Sequence, residues 1–281
     1  MEGIVEARTG YPVWRGLRIA SSTIAGVKIR SILVLAALAA VLPCAAIVVR
    51  PDRDDSEYRE LASRYASALA LGGYGEGVLI APRWVLTASS VATALREGRA
   101  TRLRIGDSEY GIRETFLSPP SIHGDIALVF LAEPVAGIEP TPVHRERDEA
   151  GKAVVIAGHG ATGIIGTTRD MRDGRKRAAI NTVDRIDDAR LHLRVKGPDE
   201  ASDLQGAAGA GDEGAPAYLE SKGRLDVAGI AQGPHGVAIP KVGDEDVYTR
   251  LSAFTPWIDE TMFAAAAAEA EAATTPKTHR R

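Results

Sequence analysis

The chain has a single cysteine, Cys44. One thiol cannot build an intrachain disulfide framework or a cysteine-rich zinc site. Charge of either sign is not in surplus, since the formal net charge is −3. Nothing in that balance points to nucleic acid. Aromatic residues are scarce, at 5% of 281 positions. The remainder is ordinary for a globular protein, with 45% hydrophobic and 25% charged residues, which excludes wholesale disorder and collagen-like repeats. Turn formers are plentiful, with 29 glycines and 15 prolines, favouring many turns over long helices. The length suits one large β domain or two smaller ones.

Uncharged runs are also rare, and the longest stands near the N-terminus. Ser31 to Val49 reads SILVLAALAAVLPCAAIVV and follows Lys28 and Arg30. A basic stretch, an apolar stretch and small residues at Cys44-Ala45-Ala46 have the order of an export signal. Left uncut, the same segment, 31–49, is long enough to anchor the chain in a membrane. Pro43 and the small residues after it favour cleavage, which makes Ile47 the expected mature start. Residues 1–30 are long and mixed in charge for a signal. The expected translation start is therefore Val27, with 1–26 untranslated; a detected peptide containing Trp14 would refute this. Removing residues 1–46 takes away five basic and two acidic residues and leaves a net charge of −6. The expected localisation is exported, secreted or periplasmic.

Asp54-Asp55-Ser56, followed by Tyr58, Leu61, Tyr65 and Ala68, predicts a short capped amphipathic helix. From Gly75 onward, short β-branched and aliphatic runs alternate with turns. They include Val78–Ile80, Trp84–Thr87, Leu103–Ile105, Ile126–Leu131, Ala153–Ala157, Leu191–Val195, Pro216–Leu219, Val227–Ala231 and Val247–Thr249. Many short strands with regular turn signals predict an all-β barrel or sandwich. The charged stretch His144–Lys152 reads as a linker, and Ser252–Met262 as one terminal helix. Residues 263–281 are alanine-rich, permissive for helix at first and then expected to be a disordered tail.

Two local motifs invite chemistry. Gly158-x-Gly160-x-x-Gly163 follows a strand with the spacing of a dinucleotide loop. That chemistry needs a helix N-terminus aimed at pyrophosphate, but Ile164-Ile165-Gly166 starts a helix poorly. A glycine-rich turn between strands is the competing reading. His123-x-Asp125 has half of a metal-site spacing, while the other histidines (144, 159, 192, 235, 279) show none. The expectation is no metal and no cofactor. The basic run Arg169–Arg177 reads as a solvated surface loop.

The strongest pattern is spread along the chain. GVLIAPRWVLTASSVA (77–92) resembles the GSLIxPxWVLTAAHC segment of trypsin-like serine proteases. DIALVFLAEPV (125–135) resembles their DIALLxLxxPV, and GAAGAGDEGAPAYL (206–219) resembles the loop around GDSGGP. VAGIAQG (227–233) and VYTRLSAFTPWI (247–258) resemble their closing strands and terminal helix. The order of segments is the family's, and the likeness spans about residues 74–260. The Val49–Tyr58 lead is closest to bacterial secreted members. The resemblance implies two packed six-stranded antiparallel β-barrels with a C-terminal helix, residues 47–145 forming the first barrel with its lead segment and 150–262 the second with the helix.

In that family a Ser attacks, a His takes its proton, and a buried Asp orients the His. Asp125 matches the Asp. Ser90 stands at the His position and Glu213 at the nucleophile position. Each change needs at least two base substitutions, so paired sequence errors are a poor explanation. Gly211 and Glu213 would supply the oxyanion-hole backbone. Ala207 falls at the base of the primary pocket, and Asp246 points toward its floor. Asp212 is the expected partner of an Ile47 amine. The disulfide positions fall on Gly75 and Val91, both without sulfur. The resemblance thus implies a non-catalytic, monomeric homologue that binds a peptide or protein in the remnant cleft, or regulates an active relative. A hydrolase rewired around Ser90, Asp125 and Glu213 is the alternative, and nucleotide binding at Gly158–Gly163 a third reading. The expected partners are peptides or proteins, not nucleic acid, with a membrane only if 31–49 stays uncut.

Overall fold

The structure is a computed structural model, and it describes residues 47–120, 124–167, 170–233 and 239–274. The first half carries β1 (Val48–Val49), α1 (Asp55–Ala62), β2 (Ala68–Ala70), β3 (Glu76–Ala81), β4 (Trp84–Thr87), α2 (Ser89–Glu97), β5 (Arg102–Ile105), β6 (Ser108–Leu117) and β7 (Ala127–Leu131). The second carries β8 (Ala153–Gly158), β9 (Thr162–Ile164), β10 (Asp170–Met171), β11 (Arg177–Thr182), β12 (Arg185–Ile186), β13 (Arg190–Arg194), β14 (Gly206–Ala207), β15 (Pro216–Ser221), β16 (Arg224–Ala231) and β17 (Glu245–Arg250). A 3-10 turn at Leu251–Ala253 leads into α3 (Thr255–Thr274).

One sheet has the order β2-β3-β4-β7-β6-β5. Its central strands β4 and β7 read WVLT and ALVFL and are buried along their whole length. A strand covered on both faces needs an unbroken apolar run. The edge strand β5 reads RLRI and alternates, Arg102 and Arg104 outward, Leu103 and Ile105 inward. Trp84 stacks on Phe130 with ring centroids 4.4 Å apart. The other large sheet has the order β11-β8-β15-β16-β17-β13-β12. Both are barrel-like, one nearly closed and one a half-barrel, as the all-β reading expected. The short β12 adds a seventh strand to the second.

The lead segment departs from the expected partition. Val48 pairs antiparallel with Ala207 and parallel with Gly163, inside a four-stranded sheet β10-β9-β1-β14. It therefore closes on the second half of the chain, not on residues 51–145. The Tyr58 hydroxyl accepts from Arg50 N–H and donates to the Gln205 carbonyl, which ties α1 to this sheet.

Three segments also depart from their expected readings as linker, surface loop and tail. In 144–152, His144 and Glu149 are completely buried. Glu149 accepts from Arg250 and from Ser252 Oγ, so this segment is pinned rather than loose. In the basic run, Arg177 is held between the carboxylates of Asp55 and Asp173, and Lys176 Nζ donates to the carbonyls of Tyr65 and Ala68. Arg169 lies outside the described residues. At the C-terminus, α3 continues through the alanine-rich stretch to Thr274, because alanine is the best helix former. Glu269 anchors that extension to Arg83 at 2.8 Å and Arg113 at 3.4 Å. Residues 275–281 and the export-signal and start-site expectations (1–46) lie outside the described residues. No helix among the described residues is long and apolar enough to cross a membrane.

Candidate functional site

Asp125 stands just before β7. Its Oδ1 accepts the Ser89 N–H at 3.0 Å, at the first turn of α2. The N-cap residue of α2 is Ala88, which has no side-chain acceptor of its own. Asp125 thus satisfies one of the helix's free donors from outside the helix. Ser90, in the same turn, is exposed, and its hydroxyl has no hydrogen bond among the described residues. No imidazole stands between Ser90 and Asp125 among the described residues; His123 lies outside them.

The loop carrying Glu213 is locked against β3 and β4. Glu76 N–H donates to the Glu213 carbonyl at 2.8 Å, and Thr87 Oγ1 donates to the Glu76 carbonyl. Gly214 has φ +89°, and a Cβ there would lie 2.1 Å from the Glu76 carbonyl oxygen, so only glycine fits. The N–H groups of Gly211 and Glu213 have no acceptor among the described residues. The Glu213 side chain turns across to Gly233, where a Cβ would sit 2.6 Å from Glu213 Cγ.

Asp212 is fully buried and accepts three backbone N–H groups, from Gly160 at 2.7 Å, Gly209 at 2.8 Å and Ile47 at 3.2 Å. Burial, and next the nearby Glu76, push its carboxyl group up to about 8. Gly158 and Gly160 make room for it, since a Cβ at either would lie within 2.5 Å of an Asp212 side-chain atom. Two of the three glycines in the Gly158–Gly163 motif are therefore explained by close approach to a carboxylate. Strand β9 follows it where a dinucleotide loop needs a helix. Ile47 is held at φ +33°, a region a β-branched residue rarely occupies.

Ala207 is buried in β14. Asp246 Oδ2 accepts the N–H of its neighbour Ala208 at 2.8 Å and the Tyr248 hydroxyl at 3.1 Å. The two pocket positions are thus brought together. Enclosure of the Asp246 carboxyl raises it to about 6.

The sequence reading missed a polar pair beside this loop. His159 Nδ1 lies 2.9 Å from Glu76 Oε2, although the residues are 83 positions apart. Burial raises Glu76 well above the usual carboxylate range and lowers His159 to about 4. Both directions favour the neutral pair, with the Glu76 carboxyl O–H donating to Nδ1. The available signal was a glutamate opening the apolar run EGVLIA. His159 and Lys176 line a cavity of about 690 Å³ together with Ala70, Tyr74 and Arg104. The cavity lies along the edge strands β2 and β5. Histidines without ligand spacing are not all isolated either: His144 lies with Glu146 and Asp226, ligand atoms within 4.8 Å of one another.

The Trypsin family model matches residues 54–258. The chain is 26% identical over 228 residues to mast cell protease 2 of Ovis aries, covering 73% of this chain and 84% of that one. Its fold is similar to that of mouse neuropsin, described as a serine protease expressed in the limbic system of the brain. There the TM-score is 0.55 at 20% identity, over 72% of this chain and 96% of the other.

Proposed function

The chain belongs to the trypsin family, and from that premise we propose that it is an exported member that binds a peptide or protein segment without cutting it. The observation that carries this reading is Glu213. It stands where the resemblance aligns the nucleophile, and its side chain covers Gly233. A carboxylate there repels an oxyanion beside the Gly211 and Glu213 N–H groups, and stabilising that oxyanion is what such catalysis depends on most. Ser90 has no base to activate its hydroxyl. Losing nucleophile or base from such a triad costs about a millionfold in turnover. Asp125 is accounted for by its bond to the start of α2.

Binding is supported by the cavity along β2 and β5, which Ser90, Asp125, Ala207, Glu213 and Asp246 do not line. Its wall residue His159 is bonded to Glu76, whose N–H is bonded to Glu213. Export with a mature start at Ile47 is supported by the Ile47–Asp212 contact. A first residue has no preceding carbonyl, so the φ strain at Ile47 would vanish on cleavage, and its amine would neutralise Asp212. The rewired hydrolase has less support. Ser90 and Glu213 share no hydrogen bond among the described residues.

The test is hydrolysis of a diverse peptide library by the parent and by a Ser90→His, Glu213→Ser double variant. The expected result is a silent parent that still retains library peptides on a column. Turnover by the parent, abolished in Glu213→Ala, would establish the rewired hydrolase instead.

A further inference from the structure

The segment His144–Lys152 crosses from one barrel to the other, and its first residue is stapled to β16. His144 N–H donates to the Val227 carbonyl and Val227 N–H to the Pro142 carbonyl, each at 2.8 Å. This places the His144 ring opposite Asp226, and both side chains are completely inaccessible. His144 Nε2 lies 2.9 Å from Asp148 Oδ1. A carboxylate can only accept, so Nε2 carries a proton. Nδ1 faces Asp226 Oδ2 at 3.5 Å and Glu146 Oε2 at 3.6 Å. Between these three atoms the geometry takes either a second proton on the ring or a shared cation.

His192 offers an internal contrast. It too lies between two carboxylates, Asp187 and Glu245. There an Arg185 N–H stands 2.6 Å from Nδ1, beside Glu245 Oε2 at 3.0 Å, so a cation already occupies that corner. No arginine or lysine is hydrogen-bonded to His144 Nδ1 among the described residues. Arg224 donates to both Asp226 oxygens, Oδ2 at 2.8 Å included, and Lys222 holds Glu146 through Oε1, which leaves Oε2 available. Both cations are exposed side chains, at 60% and 76%.

Two of the three spacings match a known coordination size, and all three ligand atoms lie within 4.8 Å of one another. Bonds of about 2.0–2.2 Å at tetrahedral angles put ligand atoms about 3.3–3.6 Å apart. One imidazole nitrogen with two carboxylate oxygens suits a borderline ion such as zinc better than magnesium or calcium. Asp148 then takes the role of the carboxylate that orients a ligating histidine. We propose that His144 Nδ1, Glu146 Oε2 and Asp226 Oδ2 bind one zinc-class divalent cation, which clamps the inter-barrel segment to β16. Glu146 is 41% exposed, so ion entry and a fourth, water ligand come from its side. In a chain with one cysteine, such a clamp does the cross-linking that a disulfide does elsewhere.

The test is equilibrium dialysis and thermal unfolding of the purified, chelator-treated chain with zinc ion, and with magnesium ion in parallel. The expected result is one saturable zinc equivalent, a raised Tm and no response to magnesium. Glu146→Gln, at the partly exposed position, should weaken uptake at least tenfold without unfolding the chain. Asp148→Asn should weaken it about 10–100-fold. His192→Gln should leave it unchanged. No saturable zinc uptake would overturn the proposal and assign the Nδ1 position to a proton. Uptake unchanged in Glu146→Gln would overturn it equally, by placing the ion elsewhere.

Discussion

The Ile47 N–H donates to Asp212 Oδ2 at 3.2 Å, and both residues are completely buried. The contact joins positions 165 apart in the chain. While Ile47 is preceded by another residue, its nitrogen is an amide and brings no charge. Asp212 then carries the cost of burial alone. Its folded value is raised from 3.8 to about 8, so the protonated form is the one the fold prefers. The associated stability is present below about pH 4 and is lost as pH rises through 8. The unprocessed chain should lose roughly 5 kcal/mol across that range from this group. A chain beginning at Ile47 places an ammonium there, and the loss should largely disappear until that amine itself deprotonates. Urea unfolding of both forms at pH 5 and pH 8 checks this. Equal pH slopes in the two forms would remove the Ile47 amine from the account.

Asp125 should prove structural. Asp125→Ala removes the acceptor that serves the first turn of α2 and should cost about 1 kcal/mol. Thermal unfolding measures it, and peptide retention should not change. A collapse in retention with stability intact would mean Asp125 touches the ligand.

Glu76→Gln should be nearly neutral, because an amide N–H replaces the carboxyl O–H facing His159 Nδ1. Glu76→Ala should cost about 1–3 kcal/mol, since His159 would keep a buried unsatisfied nitrogen. Denaturant midpoints of the two variants decide between a neutral pair and an ion pair. An ion pair would make the two substitutions similarly damaging.

Glu149 is fully buried and holds Arg250 at 2.6 Å. Glu149→Ala should cost about 3–5 kcal/mol by leaving the guanidinium unpaired. The double change Glu149→Gln, Arg250→Met should recover most of that. A double variant as weak as the single one would mean that packing, not charge, sets the cost.

Glu213→Ala should free the space over Gly233. Fluorescence anisotropy with peptides retained by the parent is expected to show several-fold tighter binding. Weaker binding would mean the carboxylate is itself a contact to the ligand.

The strands of the barrels were legible because their residues follow the alternation and apolar runs that burial on one or two faces demands. Landmarks such as Gly214-x-Pro216 and Val247-Tyr248-Thr249 singled out Asp212 and Asp246, and the structure sets the first against Ile47 and the second against Ala208. Glu76, His144, Glu149 and Arg177 were not legible. A charged residue reads as solvated unless its partner is known, and these partners lie from 4 to 122 positions away. The end of α3 was misread for a related reason. Alanine-rich sequence permits both helix and coil, and the choice falls to Arg83 and Arg113, which hold Glu269.

The seat of β1 also sets an order of events. Val48 rests between Gly163 and Ala207, residues made long after it. During synthesis this strand has no mate until Gly163, 115 positions later, has been made. It must stay extended and unpaired through that interval, and long-range closures of this kind are slow. The strand that leads the barrels in sequence is thus among the last to join them.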